Sequence, residues 1–271
     1  MTAPDLLVRI TERRREVVAA AVRERGGAGA LVEGQPLTPA NNGFLAALDA
    51  KRRMRAPAVI AEVKMGSPRL GDLHGRVDPV AQARTYAENG AACLSVVVEP
   101  DFFHGGYDLL AACAAASGLP AVTKDFLVDP VQLVWAREAG AAAFLLIAAM
   151  LEAEEMARYA RLARGLGLVP LVETHDAEDL AKLGGEPWEL VGINNRDLRT
   201  FDVDLERSIS LLPGIPAEAF KVAESGIRDG LDVALLHESG FDAFLIGESL
   251  LLAGDPAAKL RELAGGAAVP S

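Results

Sequence analysis

From residue 58 onward the chain alternates between short apolar runs and longer mixed stretches. The runs are AVIAEV (58–63), LSVVV (94–98), PAVT (120–123), AAFLLI (142–147), LVPLV (168–172), LVGIN (190–194), KVAE (221–224) and AFLIG (243–247). They recur about every 26 residues, the length of a strand plus a crossover helix. They are nearly continuous in Val, Ile, Leu and Ala, which predicts parallel strands buried on both faces. Between them lie stretches such as DPVAQARTYAENG (78–90) and DPVQLVWAREAG (129–140). Each opens with Asp-Pro, a cap followed by proline at the first helical position, and closes on glycine. Eight such units predict an α/β fold, a (βα)8 TIM barrel, in preference to a doubly wound open sheet.

The first fifty residues follow another pattern. Pro4-Asp5 followed by Leu6, Leu7, Ile10, Val17 and Val18 predicts an amphipathic helix with Arg13, Arg14 and Arg15 on its solvent side. Gly26-Gly27-Ala28-Gly29 ends it, and a linker with Pro36 and Pro39 leads to a short helix around residues 44–48. The expected organisation is one domain over 1–271, an N-terminal helical extension (1–50) preceding the barrel (58–265).

Composition narrows the function. With 51% hydrophobic residues the chain can bury a large core, built from aliphatic side chains because aromatics are only 5%. A net charge of −11 opposes nucleic acid and anionic membranes as partners, but not a small anionic ligand held locally. No apolar run reaches the ~18 residues of a membrane span. The N-terminus has its acid before its basic cluster, unlike a signal peptide, so a cytoplasmic protein is expected. Cys93 and Cys113 read as small core residues. The four histidines (His74, His104, His175 and His237) are scattered, and no dinucleotide or Walker loop is present. No metal and no cofactor are therefore expected.

A TIM barrel carries its chemistry at the C-terminal ends of its strands. Here the first run ends Glu62-Val63-Lys64, and strand alternation puts Glu62 and Lys64 on one face. The third ends at Lys124-Asp125, the fifth at Glu173, the sixth at Asn194-Asn195-Arg196-Asp197 and the seventh at Glu224-Ser225. Charges pointing into a barrel mouth must be paired or used. Lysines and glutamates crowded together can divide proton donation and removal between them. Ser225-Gly226-Ile227 after the seventh run and Gly247-Glu248-Ser249 after the eighth occupy the places where this fold binds phosphate. The loop Met65-Gly66-Ser67-Pro68-Arg69-Leu70-Gly71 suits a flap over the mouth, and Phe103 would set an aromatic ring beside it.

Together the segments IAEVKMGSP, EPDFFHGGYDLL, TKDFLVDPVQL, LLIAAML, LVETH, GINNRDLRTFDVDL, VAESGI and LIGESLL resemble the indole-3-glycerol phosphate synthase family over nearly the whole chain. The resemblance implies conversion of 1-(2-carboxyphenylamino)-1-deoxyribulose 5-phosphate to indole-3-glycerol phosphate, with release of CO2 and water and without a cofactor. It implies that Lys124 is the general acid for ring closure and Glu173 the general base for dehydration, with Lys64 assisting. Glu62, Asn194 and Ser225 would hold the reacting groups, and Arg196 and Phe103 would place the anthranilate part with Glu224 nearby. Ser67, Gly226, Gly247 and Glu248 would surround the phosphate, and Pro68 and Leu245 would also contact substrate. A monomer acting on a phosphorylated small molecule is expected.

The chain departs from the family where Met65, Gly66, Arg69 and Leu70 replace much of the usual Lys-Arg-(Ala/Ser)-Ser-Pro-Ser-Lys-Gly loop. Thr123 replaces an arginine, and VVVEP replaces Val-Leu-Thr-Glu. Three alternatives stay open at this level: a diverged paralogue acting on a modified anthranilate, a Schiff-base phosphosugar aldolase, and a binding barrel without catalysis.

Overall fold

The computed structural model describes residues 3–68, 71–197 and 202–265. The eight apolar runs become eight strands: β1 (Ala58–Val63), β2 (Cys93–Val97), β3 (Ala121–Lys124), β4 (Ala143–Ile147), β5 (Val169–Thr174), β6 (Leu190–Asn194), β7 (Phe220–Glu224) and β8 (Ala243–Ile246). Each pairs in parallel with its sequence neighbours, and β8 returns to β1 through Ala58↔Ala243 to Ala61↔Ile246, closing a barrel. Two further short strands, Gly66–Ser67 and Gly71–Asp72, pair antiparallel as a hairpin in the loop after β1. Arg69 and Leu70, two of the loop's departures from the family, lie outside the described residues.

The helices are α1 (Ala3–Arg25), α2 (Gly43–Arg53), α3 (Pro79–Glu88), α4 (Tyr107–Ser117), α5 (Val131–Glu138), α6 (Ala153–Gly165), α7 (Ala177–Ala181), α8 (Leu205–Leu211), α9 (Gly230–Ser239), α10 (Glu248–Leu251) and α11 (Pro256–Gly265). Asp78 caps α3 as its sequence predicts, its carboxylate accepting from Val80 N and Ala81 N ahead of a proline in the first turn. At α5 the helix starts at Val131, one residue after the proline, and Asp129 accepts from Val131 N at 2.8 Å.

Strand alternation divides the core in two. Ile60, Val122, Leu145, Leu171, Val222 and Leu245 fill the barrel interior, while Val59, Val96, Phe144 and Val172 face the surrounding helices. Helix α2 plugs the barrel's N-terminal end: Phe44, Leu45 and Leu48 are buried in the interior cluster with Ala58 and Ile60. Asn42 fixes it there, accepting from Phe44 N and Leu45 N and donating to Ala142 O and Gly167 O at 2.9 and 3.0 Å.

Helix α1 behaves differently from its sequence expectation. Arg13 and Arg15 are exposed, but Arg14 is 3% exposed and grips Asp125 with two bonds, Nε–Oδ1 at 2.9 Å and Nη2–Oδ2 at 2.6 Å. Asp125 follows the last residue of β3, so α1 docks at the barrel mouth. An amphipathic stripe alone gives no sign of a buried carboxylate waiting for one member of an arginine cluster. No helix among the described residues is long and apolar enough to cross a membrane.

Candidate active site

At the C-terminal end of the barrel lies a cavity of about 830 Å³, within the range that small-molecule sites occupy. Its floor is a cluster of charges. Lys64 Nζ donates to Glu62 Oε1 at 2.8 Å, which realises the shared face predicted by their spacing. Lys124 Nζ lies 3.5 Å from Glu62 Oε2, 3.5 Å from Glu224 Oε2 and 3.8 Å from Glu173 Oε2. Three strands thus aim carboxylates at one lysine from a fourth.

The electrostatics follow from these contacts. Burial works against ionising Glu62, but Lys64 and Lys124 outweigh it and hold the carboxyl at about 2. Burial also disfavours the Lys124 ammonium, yet Glu62, Glu224 and Glu173 push its pKa well above the ordinary value. Glu173 is driven well below the usual carboxylate range despite burial, by the adjacent His175, by Lys124 and by Asn194. Glu224 goes the other way: burial first, then the charge of Glu173, raise it to about 8. Two neighbouring carboxylates thereby take opposite protonation states near neutral pH.

Asn194, Arg196, Ser225 and Gly226 form one wall, and Gly247, Glu248 and Leu245 continue it. Arg196 Nη2 meets Glu248 Oε2 at 3.2 Å, so the glutamate of the β8 loop is matched by a guanidinium. Asn195 is fully buried and ties β6 to the next loop, donating from Nδ2 to Glu224 O at 3.0 Å and Ser225 O at 2.9 Å. Ser225 and Gly226 adopt consecutive positive φ values of 65° and 76°, a costly conformation for serine that the Asn195 clamp supports. Ser249 Oγ donates to Ile227 O at 2.9 Å and joins the loops after β7 and β8.

Two glycines make room for the carboxylates. A Cβ on Gly192 would overlap Glu224 Oε1, and one on Gly247 would overlap Glu62 Oε1. Gly247, expected at a phosphate, therefore also clears space for Glu62.

Phe103 reaches the cavity, its ring 6.0 Å from that of Phe126. The turn carrying it is shaped by the buried Glu99, whose carboxylate accepts from the backbone N–H groups of Asp101, Phe102 and Phe103 at 3.0, 2.7 and 3.0 Å. Leu7 of α1 also lines the cavity. Ser67 and Pro68 stand on the hairpin apart from the cavity wall, and Glu224 lies beneath the surface with no exposure.

Three of the departures find physical reasons. Thr123 pairs in register with Val96 and Phe144, which face the helices, so this change lies behind the sheet rather than in the mouth. Gly66 packs so closely on His104 that a Cβ would overlap the imidazole, and Met65 is buried at 3% exposure. Met65 thus spends one usual basic position on packing, and Gly66 stands where the family has a small residue.

A family model described as indole-3-glycerol phosphate synthase matches residues 7–263. The chain belongs to the indole-3-glycerol phosphate synthase family. The family's enzyme from Azoarcus sp. (strain BH72) is 44% identical over 263 residues, covering 96% of this chain and 99% of that protein. The one from Bordetella pertussis (strain Tohama I) is 42% identical over 259 residues, covering 96% and 98%. Among solved structures, tryptophan synthase subunit alpha from Legionella pneumophila str. Paris superposes with a TM-score of 0.60 at 15% identity, covering 82% of this chain and 97% of that one. That likeness speaks to the barrel alone.

Sequence reasoning set Asp125 and Asn195 at strand ends without a role, put Arg14 on the solvent side, and missed Glu99 and the pair His175–Asp179. The available signals were local: the second asparagine of Asn194-Asn195, and a histidine two residues beyond Glu173.

Proposed function

We infer that this chain performs the reaction its family is named for. It closes, decarboxylates and dehydrates 1-(2-carboxyphenylamino)-1-deoxyribulose 5-phosphate to indole-3-glycerol phosphate, as a carboxy-lyase of tryptophan biosynthesis. The observation carrying the residue assignments is Lys124 Nζ held within 3.8 Å of Glu62, Glu173 and Glu224 at the barrel mouth.

The ring carbon bearing the carboxylate attacks the ribulose carbonyl, and the Lys124 ammonium gives a proton to the oxygen that develops charge. Loss of CO2 restores aromaticity. Glu173, ionised and beside Lys124, then takes a proton from the ring carbon next to the one bearing the new hydroxyl, while the Lys64 ammonium protonates that hydroxyl, which leaves as water. Lys64, paired with Glu62, supports the acid steps. Arg196 and Phe103 place the anthranilate part, with Glu224 and Leu245 beneath it. The Ser225–Gly226 turn and Gly247 receive the phosphate, and Ser67 and Pro68 join when the hairpin closes. The Schiff-base alternative needs a neutral amine, whereas the ionised Glu62 and Glu173 keep Lys124 charged. A cytoplasmic monomer is the setting we propose, in keeping with two free, buried cysteines.

The test is to supply the substrate to purified protein and follow indole fluorescence together with CO2. Equal yields of both support the assignment. Folded protein that leaves the substrate intact refutes it, and turnover only of ring-substituted analogues assigns the chain to a modified pathway.

A further inference from the structure

His175 lies outside every role assigned above, yet it is buried directly against Glu173. It follows β5 by one residue and is 7% exposed. Its Nε2 lies 3.2 Å from Glu173 Oε1, an ion-pair contact without the alignment of a good hydrogen bond. On the ring's other side Nδ1 lies 3.3 Å from Asp179 Oδ2, and the same oxygen accepts from His175 N at 3.0 Å. Asp179 in turn takes Lys182 Nζ on Oδ1 at 3.3 Å, and Lys182 also donates to Ala148 O at 2.8 Å. Asp176 is occupied in capping α7, accepting from Asp179 N. The charged groups around the imidazole are therefore Glu173 from β5, and Asp179 with Lys182 behind it from α7 and its end. Lys124 from β3 acts on it through Glu173.

An imidazole between two carboxylates is held as the cation. Burial opposes the charge, but the bond to Asp179 and the neighbouring carboxylate of Glu173 outweigh it and raise His175 to about 10. A positive charge thus stands on the far side of Glu173 from Lys124. Glu224 touches Lys124 as well but has no such backing, and among the described residues its Oε1 finds no hydrogen-bond partner.

Resting on the reading of Glu173 as the base, we propose that His175, clamped by Asp179, is the positioning residue that keeps Glu173 the ionised member of the Glu173–Glu224 pair. Without that charge the two carboxylates would differ mainly through Asn194, and the shared proton would spend time on the group that must accept one.

The test compares the pH dependence of kcat in the wild type, His175→Gln and Glu173→Gln. An opposite charge at this distance is worth about one to three pH units. The acid limb of His175→Gln should therefore move to higher pH by about that amount, with kcat approaching the wild-type value above it. The infrared C=O band of a neutral carboxyl, assigned by its loss in Glu224→Gln, should in His175→Gln gain a component that Glu173→Gln removes. If His175→Gln does not fold, Asp179→Asn takes its place, with a smaller shift expected in the same direction. A superimposed acid limb and an unchanged infrared band, with Glu173→Gln inactive, overturn this inference alone. Full turnover by Glu173→Gln overturns the reading beneath it.

Discussion

Arg14→Met removes the guanidinium that joins α1 to the barrel mouth. The pair is buried on both sides, with side-chain exposures of 4% and 0%. Two charge-assisted bonds are lost, and breaking a buried pair from one side costs about 3–5 kcal/mol. Asp125 keeps three donors, Tyr107 Oη at 2.9 Å, Gln132 Nε2 at 2.8 Å and Phe126 N at 2.9 Å. Methionine also refills much of the space of the arginine stem. The expected loss is therefore near the lower end, about 3 kcal/mol, or a Tm lower by about 6–12 °C for a chain of this size. Urea unfolding of Arg14→Met, Asp125→Asn and the double variant measures it. With the buried charge already neutralised by Asp125→Asn, the further cost of Arg14→Met should drop to about 1 kcal/mol. Because Asp125 adjoins Lys124 and α1 contributes Leu7 to the cavity, the single variant should also have a raised KM. A cost below about 1 kcal/mol in the wild-type background, or strict additivity with Asp125→Asn, would refute the reasoning.

Two other predictions concern the buried carboxylates. Gly192→Ala meets no backbone strain but drives a methyl into Glu224, so kcat should fall about 10- to 100-fold while the fold survives; wild-type kcat would show that Glu224 yields freely. Glu224 holds its proton to about 8 against an ordinary 4.5, through burial and then Glu173. Its folded value is raised, so the stability it contributes is full below about pH 4.5 and is lost as pH rises through about 8. Glu224→Gln should accordingly lose less stability than wild type between pH 5 and 8 in urea titrations, and parallel curves would contradict the assignment.

The barrel was legible because its pattern is physical: a parallel strand buried on both faces is apolar except near its C-terminal end, so AVIAEV and LVGIN mark β1 and β6 to the residue. The charged cluster at the mouth was legible for the same reason, since Lys124, Glu173 and Glu224 break apolar runs at the strand ends and meet there. What escaped were pairings that chain position does not encode. Arg14 meets Asp125 across 111 positions, and Arg196 meets Glu248 across 52. His175 and Asp179 are close in sequence, but their importance depends on Glu173 pointing between strands at a lysine. Gly192 and Gly247 carry no signal until the carboxylates beside them are located.

The division of labour between Lys124 and Glu173 is tested most directly by single turnover, with CO2 and indole fluorescence recorded together and without a quench. Lys124→Met should release neither CO2 nor indole. Glu173→Gln should still close the ring and release CO2, while indole forms far more slowly because dehydration lacks its base. Indole and CO2 falling in parallel in Glu173→Gln, or either appearing at the wild-type rate in Lys124→Met, would contradict it.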